Sequence, residues 1–412
     1  LEGDDVTDTM TEPDPFTATA PGQRLAAYRR LAAAPGVRRI ATPDGQHAWL
    51  VTDYAQVRAL FGDPRLSKML SPTSAAADRL LPELASALTR HMLAVDGAEH
   101  SRLRRLVSTV FTSRRIERLA PRIQQIADEL LDELEHTVAA GQSIDLLSRY
   151  AFPLPMTVIC ELVGVPEQDR ASFRRWTGTM IDGVFADAEA FRAATTELIG
   201  YVRELIDRRR AEPADDLLSA LISARDGGDR LSEDELTSMV WVLVLAGHET
   251  TVNLIANGVY ELLTHPDQLT RLRERPDLID AGVEELLRVA SPVHAAIPLR
   301  ACEPIEINGV RIPAGDIVLP GLMAANHDPC RIADPDTLDV GRKDNPHMSF
   351  GHGIHFCLGA PLARLEGRIA LASLLQRFPA LALAVPPESV TWRPNYALHG
   401  PTELPITLTP GH

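Results

Sequence analysis

The sequence predicts a mainly α fold with a small β sub-lobe. Three observations lead there. Apolar residues recur at helical spacing, with charged residues between them, over Ile116 to Ala139, Ala188 to Arg210 and Ala360 to Arg377. Segments that read as strands are few and short. One long segment from Ser232 to His265 is apolar on nearly every side, which suits a helix crossing the core.

The elements follow in chain order. Residues 1–20 are polar, acidic and threonine-rich, and are expected to form a disordered tail. They lack the basic start and apolar run of a secretory signal. Ala48 to Thr52 reads as a strand. Ser232 and Glu235 have capping-box spacing and start the long helix, which His265-Pro266 ends. Some thirty residues at about 1.5 Å each span roughly 45 Å, a domain's width. Ile305 to Ile312, with Asn308-Gly309 in the middle, predicts a hairpin. Asp328 to Ser349, rich in Asp, Pro, Asn and Gly, predicts an ordered irregular loop. Leu381 to Val385 and Ile406 to Leu408 are the remaining strand candidates.

Composition narrows the function. The 412 residues are 45% hydrophobic, enough for a large core, and no linker or repeat divides them. One domain over residues 21–412 is expected. A formal charge of −15 argues against nucleic acid as a partner. The most apolar run, Met239 to Gly247, is too short to span a bilayer, so a cytoplasmic protein with no membrane partner is expected. The four cysteines, Cys160, Cys302, Cys330 and Cys357, form neither a zinc pattern nor a disulfide framework.

Two constellations carry chemistry. The long helix contains Ala246-Gly247-His248-Glu249-Thr250-Thr251. A mid-helix glycine costs about 1 kcal/mol relative to alanine. A carboxylate and a hydroxyl in an apolar stretch need a reason to be there. Either this is a kink with a satisfied polar pair, or it is a groove where a small ligand meets a proton relay. Val242, Ala246 and Thr250, at i, i+4 and i+8, share one face. The second constellation is Phe350-Gly351-His352-Gly353-Ile354-His355-Phe356-Cys357-Leu358-Gly359. Its glycines let backbone approach a flat ligand closely. A helix beginning just after Cys357 would stabilise a thiolate. A thiolate on haem iron favours O–O cleavage.

These residues resemble the soluble bacterial cytochrome P450 enzymes, particularly the actinomycete type that tailors macrolides and other natural products. The resemblance spans the chain from about Pro21. The pattern F-x-x-G-x-x-x-C-x-G is met by Phe350, Gly353, Cys357 and Gly359, and A-G-x-[DE]-T-T by Ala246, Gly247, Glu249, Thr250 and Thr251. E-x-x-R is met by Glu285 and Arg288 as a structural pair. The resemblance implies the P450 fold, haem b, and Cys357 as the axial metal ligand. It implies Glu249 and Thr250 as the catalytic acid–alcohol pair. His100 and Arg104 match H-x-x-x-R, and with Arg300 and His355 they are implied as propionate ligands. Phe350, Gly351, Gly359, Ala246 and Gly247 would lie against the cofactor. Val242, Ala246, His294, Ala295, Ala296, Ile297 and Leu398 would line the substrate pocket.

The implied reaction inserts one atom of O2 into a small organic substrate, a secondary metabolite such as a macrolide or other polyketide. Electrons would come from an iron–sulfur ferredoxin and its NAD(P)H-dependent reductase. Arg102, Arg105, Arg114, Arg115 and Arg364 form a local basic patch suited to that acidic partner. One position departs from the family. Where many members carry an arginine that joins Glu285 and Arg288, this chain has Thr337, leaving Arg342 or Arg331 as substitutes. A peroxygenase, an oxidative coupling enzyme and a haem gas sensor are the rival readings. The acid–alcohol pair argues against the first. The third lacks a signalling region.

Overall fold

The computed structural model describes residues 14–32, 36–68, 84–137, 142–182, 185, 187–224 and 229–408. Its centre is the helix Glu233–Thr264, 32 residues long. Ser232 accepts from the Glu235 N–H at 3.3 Å, and Glu235 Oε2 accepts from the Ser232 N–H at 2.8 Å, completing the expected capping box. Length and hydropathy would let such a helix cross a bilayer, but 72% of its most apolar window is buried inside the protein. It packs against Pro153–Val163, Ala188–Ala211, Ile279–Val289 and Ala360–Arg377.

The predicted helix over Ile116 to Ala139 is two helices, Ser113–Glu117 and Ala120–Thr137. The break precedes Pro121, whose missing N–H fits a first helical turn. Ile116 and Ile123 are buried on either side, which is why the apolar period runs through the break. Residues 138 and 139 lie outside the described set.

The β lobe is a five-stranded sheet ordered Val37–Ala41, His47–Val51, Ile317–Pro320, Leu299–Ala301, Leu66–Ser67. Only the second and third of these pair in parallel. The Ile305–Ile312 hairpin forms, with Asn308 at φ 51° and Gly309 at φ 78°, as a two-residue turn of this kind requires. Pro405–Thr407 pairs with both Ser143–Asp145 and Ala382–Leu383. Asp328 to Ser349 contains no helix or strand.

The expected disordered tail needs correction. Residues 1–13 lie outside the described set, but residues 14–20 are part of the fold. Phe16 is 1% exposed, and its carbonyl accepts from the Asn395 N–H at 2.9 Å. The Thr19 carbonyl accepts from the Trp392 N–H. Buried apolar surface and backbone pairing to the C-terminal segment order this stretch despite its polar composition.

Candidate functional site

The cysteine loop begins where Phe350 O accepts from the Cys357 N–H at 2.9 Å. Gly351 and Gly353 stand at φ 70° and 69°. A Cβ on Gly353 would fall 2.8 Å from the Phe61 carbonyl, so this turn needs glycine twice over. Gly359 caps the helix Ala360–Arg377, with Pro361 in its first turn. Cys357 is exposed, unlike Cys160. Solvent reaches the residue, while protein packs closely around the sulfur. Burial pushes its thiol pKa up, opposed by the Gly359 and Ala360 amides and by Arg104 and Arg364. Those opposing groups are the ones a thiolate would use.

The predicted cations gather beside this loop. The His100 and His355 rings lie 4.2 Å apart. His100 is 2% exposed, yet neither of its ring nitrogens has a partner. His355 reaches Asp96 with Nε2 at 3.3 Å, leaving Nδ1 unpartnered. Arg300 Nε is buried and unpartnered as well. Such orphaned donors are rare in a finished core. Arg104 is close enough to Cys357 and His100 to bias both.

Lys68 joins them, and sequence reasoning missed it. The register Ser67↔Arg300 brings it beside the Arg300 strand. Asp96 Oδ2 accepts from both the Lys68 N–H and the Ser67 hydroxyl at 2.7 Å. Burial lowers the Lys68 ammonium to about 8, with Asp96 opposing. Burial, then Lys68 and His100, lower His355 to about 4. Lys68 is one of two lysines in the chain, and nothing local marks it for this role. A group with anionic substituents at one edge and a thiolate-binding centre fits these donors, as a haem does.

In the central helix, Thr250 Oγ1 donates to Ala246 O at 2.9 Å. Glu249 is buried and accepts from Arg393 Nη1 at 2.8 Å. His248 is fully buried and donates from Nδ1 to Val244 O at 2.8 Å, with its Nε2 3.9 Å from Glu249 Oε2. Asp182 lies near the same pair. Burial raises its carboxyl pKa, Arg393 lowers it, and Glu249 raises it. Arg393, far away in sequence, carried no signal of this role. The helix stays α throughout, and a Cβ on Gly247 would meet Ile159 at 3.0 Å. The glycine therefore admits a neighbouring helix. On the shared face, Ala246 is exposed, Thr250 half-buried and Val242 packed into the core.

The open question at Thr337 has a structural answer. Arg288 donates twice to Glu285, at 2.8 Å each, and Arg342 Nε donates to both oxygens at 3.0 and 3.1 Å. Thr337 contributes its carbonyl, which accepts from both arginines. Asn345 and the Asp339 N–H complete the shell around Glu285. Arg331 instead pairs with Asp344 at the surface.

Two groups of predictions are corrected. His294 does not face a pocket: it is fully buried, with Nδ1 2.7 Å from the Tyr28 hydroxyl and Nε2 3.0 Å from Asn395 O. Ala295 and Ala296 are buried in the apolar clusters beside the sheet. Ile297 and Leu398 remain half-buried. The segment's backbone pairs with Ala397 and His399 of the C-terminal stretch and with Pro320 and Met323, so its small residues are packing elements. The basic patch is also partly neutralised by carboxylate partners. Arg364 is held by Glu284 at 2.6 and 2.8 Å and lies over the Phe350 ring, and Arg102 is bound by Glu235.

The comparisons agree with this geometry. The cytochrome P450 family model matches residues 69–164 and 168–393. The chain is 46% identical over 405 residues to cytochrome P450 monooxygenase PikC of Streptomyces venezuelae, covering 97% of this chain and 95% of that one. It is 45% identical over 380 residues to mycinamicin IV hydroxylase/epoxidase of Micromonospora griseorubida, covering 92% and 94%. Among solved structures, the tirandamycin C-bound P450 monooxygenase TamI matches with a TM-score of 0.86 at 43% identity, over 93% of this chain and 97% of that one. An exposed cysteine in a double-glycine turn, an acid–alcohol pair on the core helix and near full-length likeness to these monooxygenases agree: the chain belongs to the cytochrome P450 family and is a monooxygenase.

Proposed function

We propose that this monooxygenase oxidises a secondary metabolite of the macrolide or other polyketide class, by hydroxylation or epoxidation. The names of its relatives support that class. The observation that carries the site assignment is the orphaned nitrogens of His100, His355 and Arg300 beside the accessible Cys357. In this reading haem b is held by Cys357 at its metal. Its propionates are held by His100, Arg104, Arg300 and His355, with Lys68 added. Bound haem supplies the oxygen-activating chemistry, to which a thiolate ligand contributes electron density.

The chain's own residues do the rest. Phe350 O and the Gly359 and Ala360 amides hold the cysteine backbone and sulfur in place. Thr250 gives and takes a proton at Oγ1, using Ala246 O as its resting acceptor. Glu249 moves protons between Arg393-side solvent and that hydroxyl. Ala246, Ile297 and Leu398 orient the apolar substrate over the helix face. An iron–sulfur ferredoxin, reduced by its NAD(P)H-dependent reductase, delivers electrons on the cysteine side, with Arg105 and Arg114 among its contacts. The protein works in the cytoplasm.

Cys357→Ser tests the assignment. The variant is expected to lose the red-shifted Soret band of the reduced carbon monoxide complex, because that band reports thiolate donation. A retained band with normal turnover would show that Cys357 is not the ligand. Titrating candidate macrolactones against the haem spin state tests the substrate class.

A further inference from the structure

A cavity of about 680 Å³ opens among the helices Gly97–Val110, Ala120–Thr137 and Pro153–Val163. It shares no lining residue with the Cys357 loop, its cations or Glu249, and of the basic patch only Arg114 and Arg115 line it. Its floor is apolar: Ile123, Ile126, Val158 and Leu162 line it and are buried. Its rim carries Arg114, Arg115, Arg118 and Arg122.

The charges on this rim are unequally satisfied. Arg122 donates to both oxygens of Glu161, at 2.9 and 2.7 Å. Asp216 is occupied by Arg209 and by the Ser219 N–H. Asp215 is 99% exposed and only 3.7 Å from Arg115. Arg114 and Arg118 are exposed and have no carboxylate partner among the described residues. The whole chain carries −15, so acids to neutralise them are abundant elsewhere. Two free guanidinium forks above an apolar floor favour an occupant with both characters. The volume suits a small molecule, since such sites run to about 300–1,000 Å³.

We propose that this cavity is a second, non-catalytic binding site for a small amphipathic anion, a carboxylate or phosphate on an apolar body. The anion sits between Arg114 and Arg118, and the apolar part lies on Ile123, Ile126 and Val158.

The test uses the haem-loaded, full-length enzyme and three probes: decanoate, decanol and inorganic phosphate. Binding is followed by calorimetry while haem absorption is recorded, so that ligand above the haem is recognised by its spin-state shift. Decanoate is expected to show a saturable site that leaves the haem spectrum unchanged and weakens with salt. Decanol and phosphate, each lacking one half of the match, are expected to bind at least about tenfold more weakly, about 1.4 kcal/mol. The double variant R114Q/R118Q should lose decanoate affinity by a similar factor. Both positions are exposed, so the fold should tolerate the change. Unaltered decanoate binding in the double variant would overturn the proposal. So would phosphate binding as tightly as decanoate, or the absence of any site beyond the one that shifts the haem spectrum. If the double variant slows reduction by ferredoxin and no decanoate site exists, the rim is a protein-docking surface and the proposal fails.

Discussion

Arg393 Nη1 donates to Glu249 Oε1 at 2.8 Å, tying the C-terminal segment to the middle of the core helix. The pair is asymmetric. Glu249 has 7% of its side chain exposed and Arg393 has 32%, so the acid sits inside and its partner at the edge. Removing Arg393 leaves a buried carboxylate with only the His248 ring at 3.9 Å, held neutral by burial, shown as an ion-pair partner. Arg393→Gln is expected to slow turnover several-fold and to raise the solvent isotope effect, with Arg393→Lys restoring part of the rate. Glu249→Gln should slow the same step. Turnover and isotope effect unchanged in Arg393→Gln would show that the pair serves structure alone.

Thr250 is the complementary test. Alanine removes the hydroxyl and keeps the helix, while valine keeps the volume. Both variants are expected to consume NAD(P)H while releasing more peroxide and less product. The ratio of product formed to NAD(P)H consumed is the measurement. Full coupling in both would mean that the hydroxyl only satisfies Ala246 O.

Lys68→Met should separate two effects of opposite sign. In the haem-free protein, burial lowers the Lys68 pKa from 10.5 to about 8. Between those values the unfolded chain holds the proton and the folded chain does not, so stability rises as pH climbs from about 8 towards 10.5. The gain is on the order of 3 kcal/mol, absent below pH 8. Methionine abolishes this pH dependence and makes the haem-free protein more stable at neutral pH. If Lys68 faces a propionate, the same variant releases haem faster to an acceptor apoprotein. Chemical denaturation against pH reads the first effect and haem transfer the second. Unchanged haem release would remove Lys68 from the clamp while leaving the stability prediction intact.

Arg342 and Arg331 differ in depth. Arg342 is 12% exposed and shares fully buried Glu285 with Arg288, whereas Arg331 and Asp344 are 40% and 79% exposed. Arg342→Ala is expected to cost about 3 kcal/mol, because it uncovers a buried carboxylate and three loop carbonyls. Arg331→Ala should cost under about 1 kcal/mol. Denaturant midpoints of the two variants settle the order. Equal costs would mean that Thr337 O and Arg288 suffice to hold the loop.

The chemistry of this protein was legible locally. Glycines around Cys357, an acid and a hydroxyl inside an apolar helix, and a four-residue capping box are short-range patterns. The chain sets them by spacing, and in the structure the capping box closes and the glycines of the cysteine turn stand at positive φ. The Asn308-Gly309 turn belongs to the same class, since its two positive φ angles depend on the residues themselves. Tertiary structure decided the partners. Arg393 reaches Glu249 across 144 positions, and Lys68 reaches the cations through strand pairing with Arg300. Neither has a local signature, because an arginine or lysine alone is most often a solvated surface charge. The same limit produced the errors. His294 looks like a pocket residue until Tyr28 and Asn395 claim both its nitrogens. Residues 14–20 look like a tail until Phe16 finds a buried site beside the C-terminal segment. Burial depends on what the rest of the chain brings to a residue, and no window of sequence contains that.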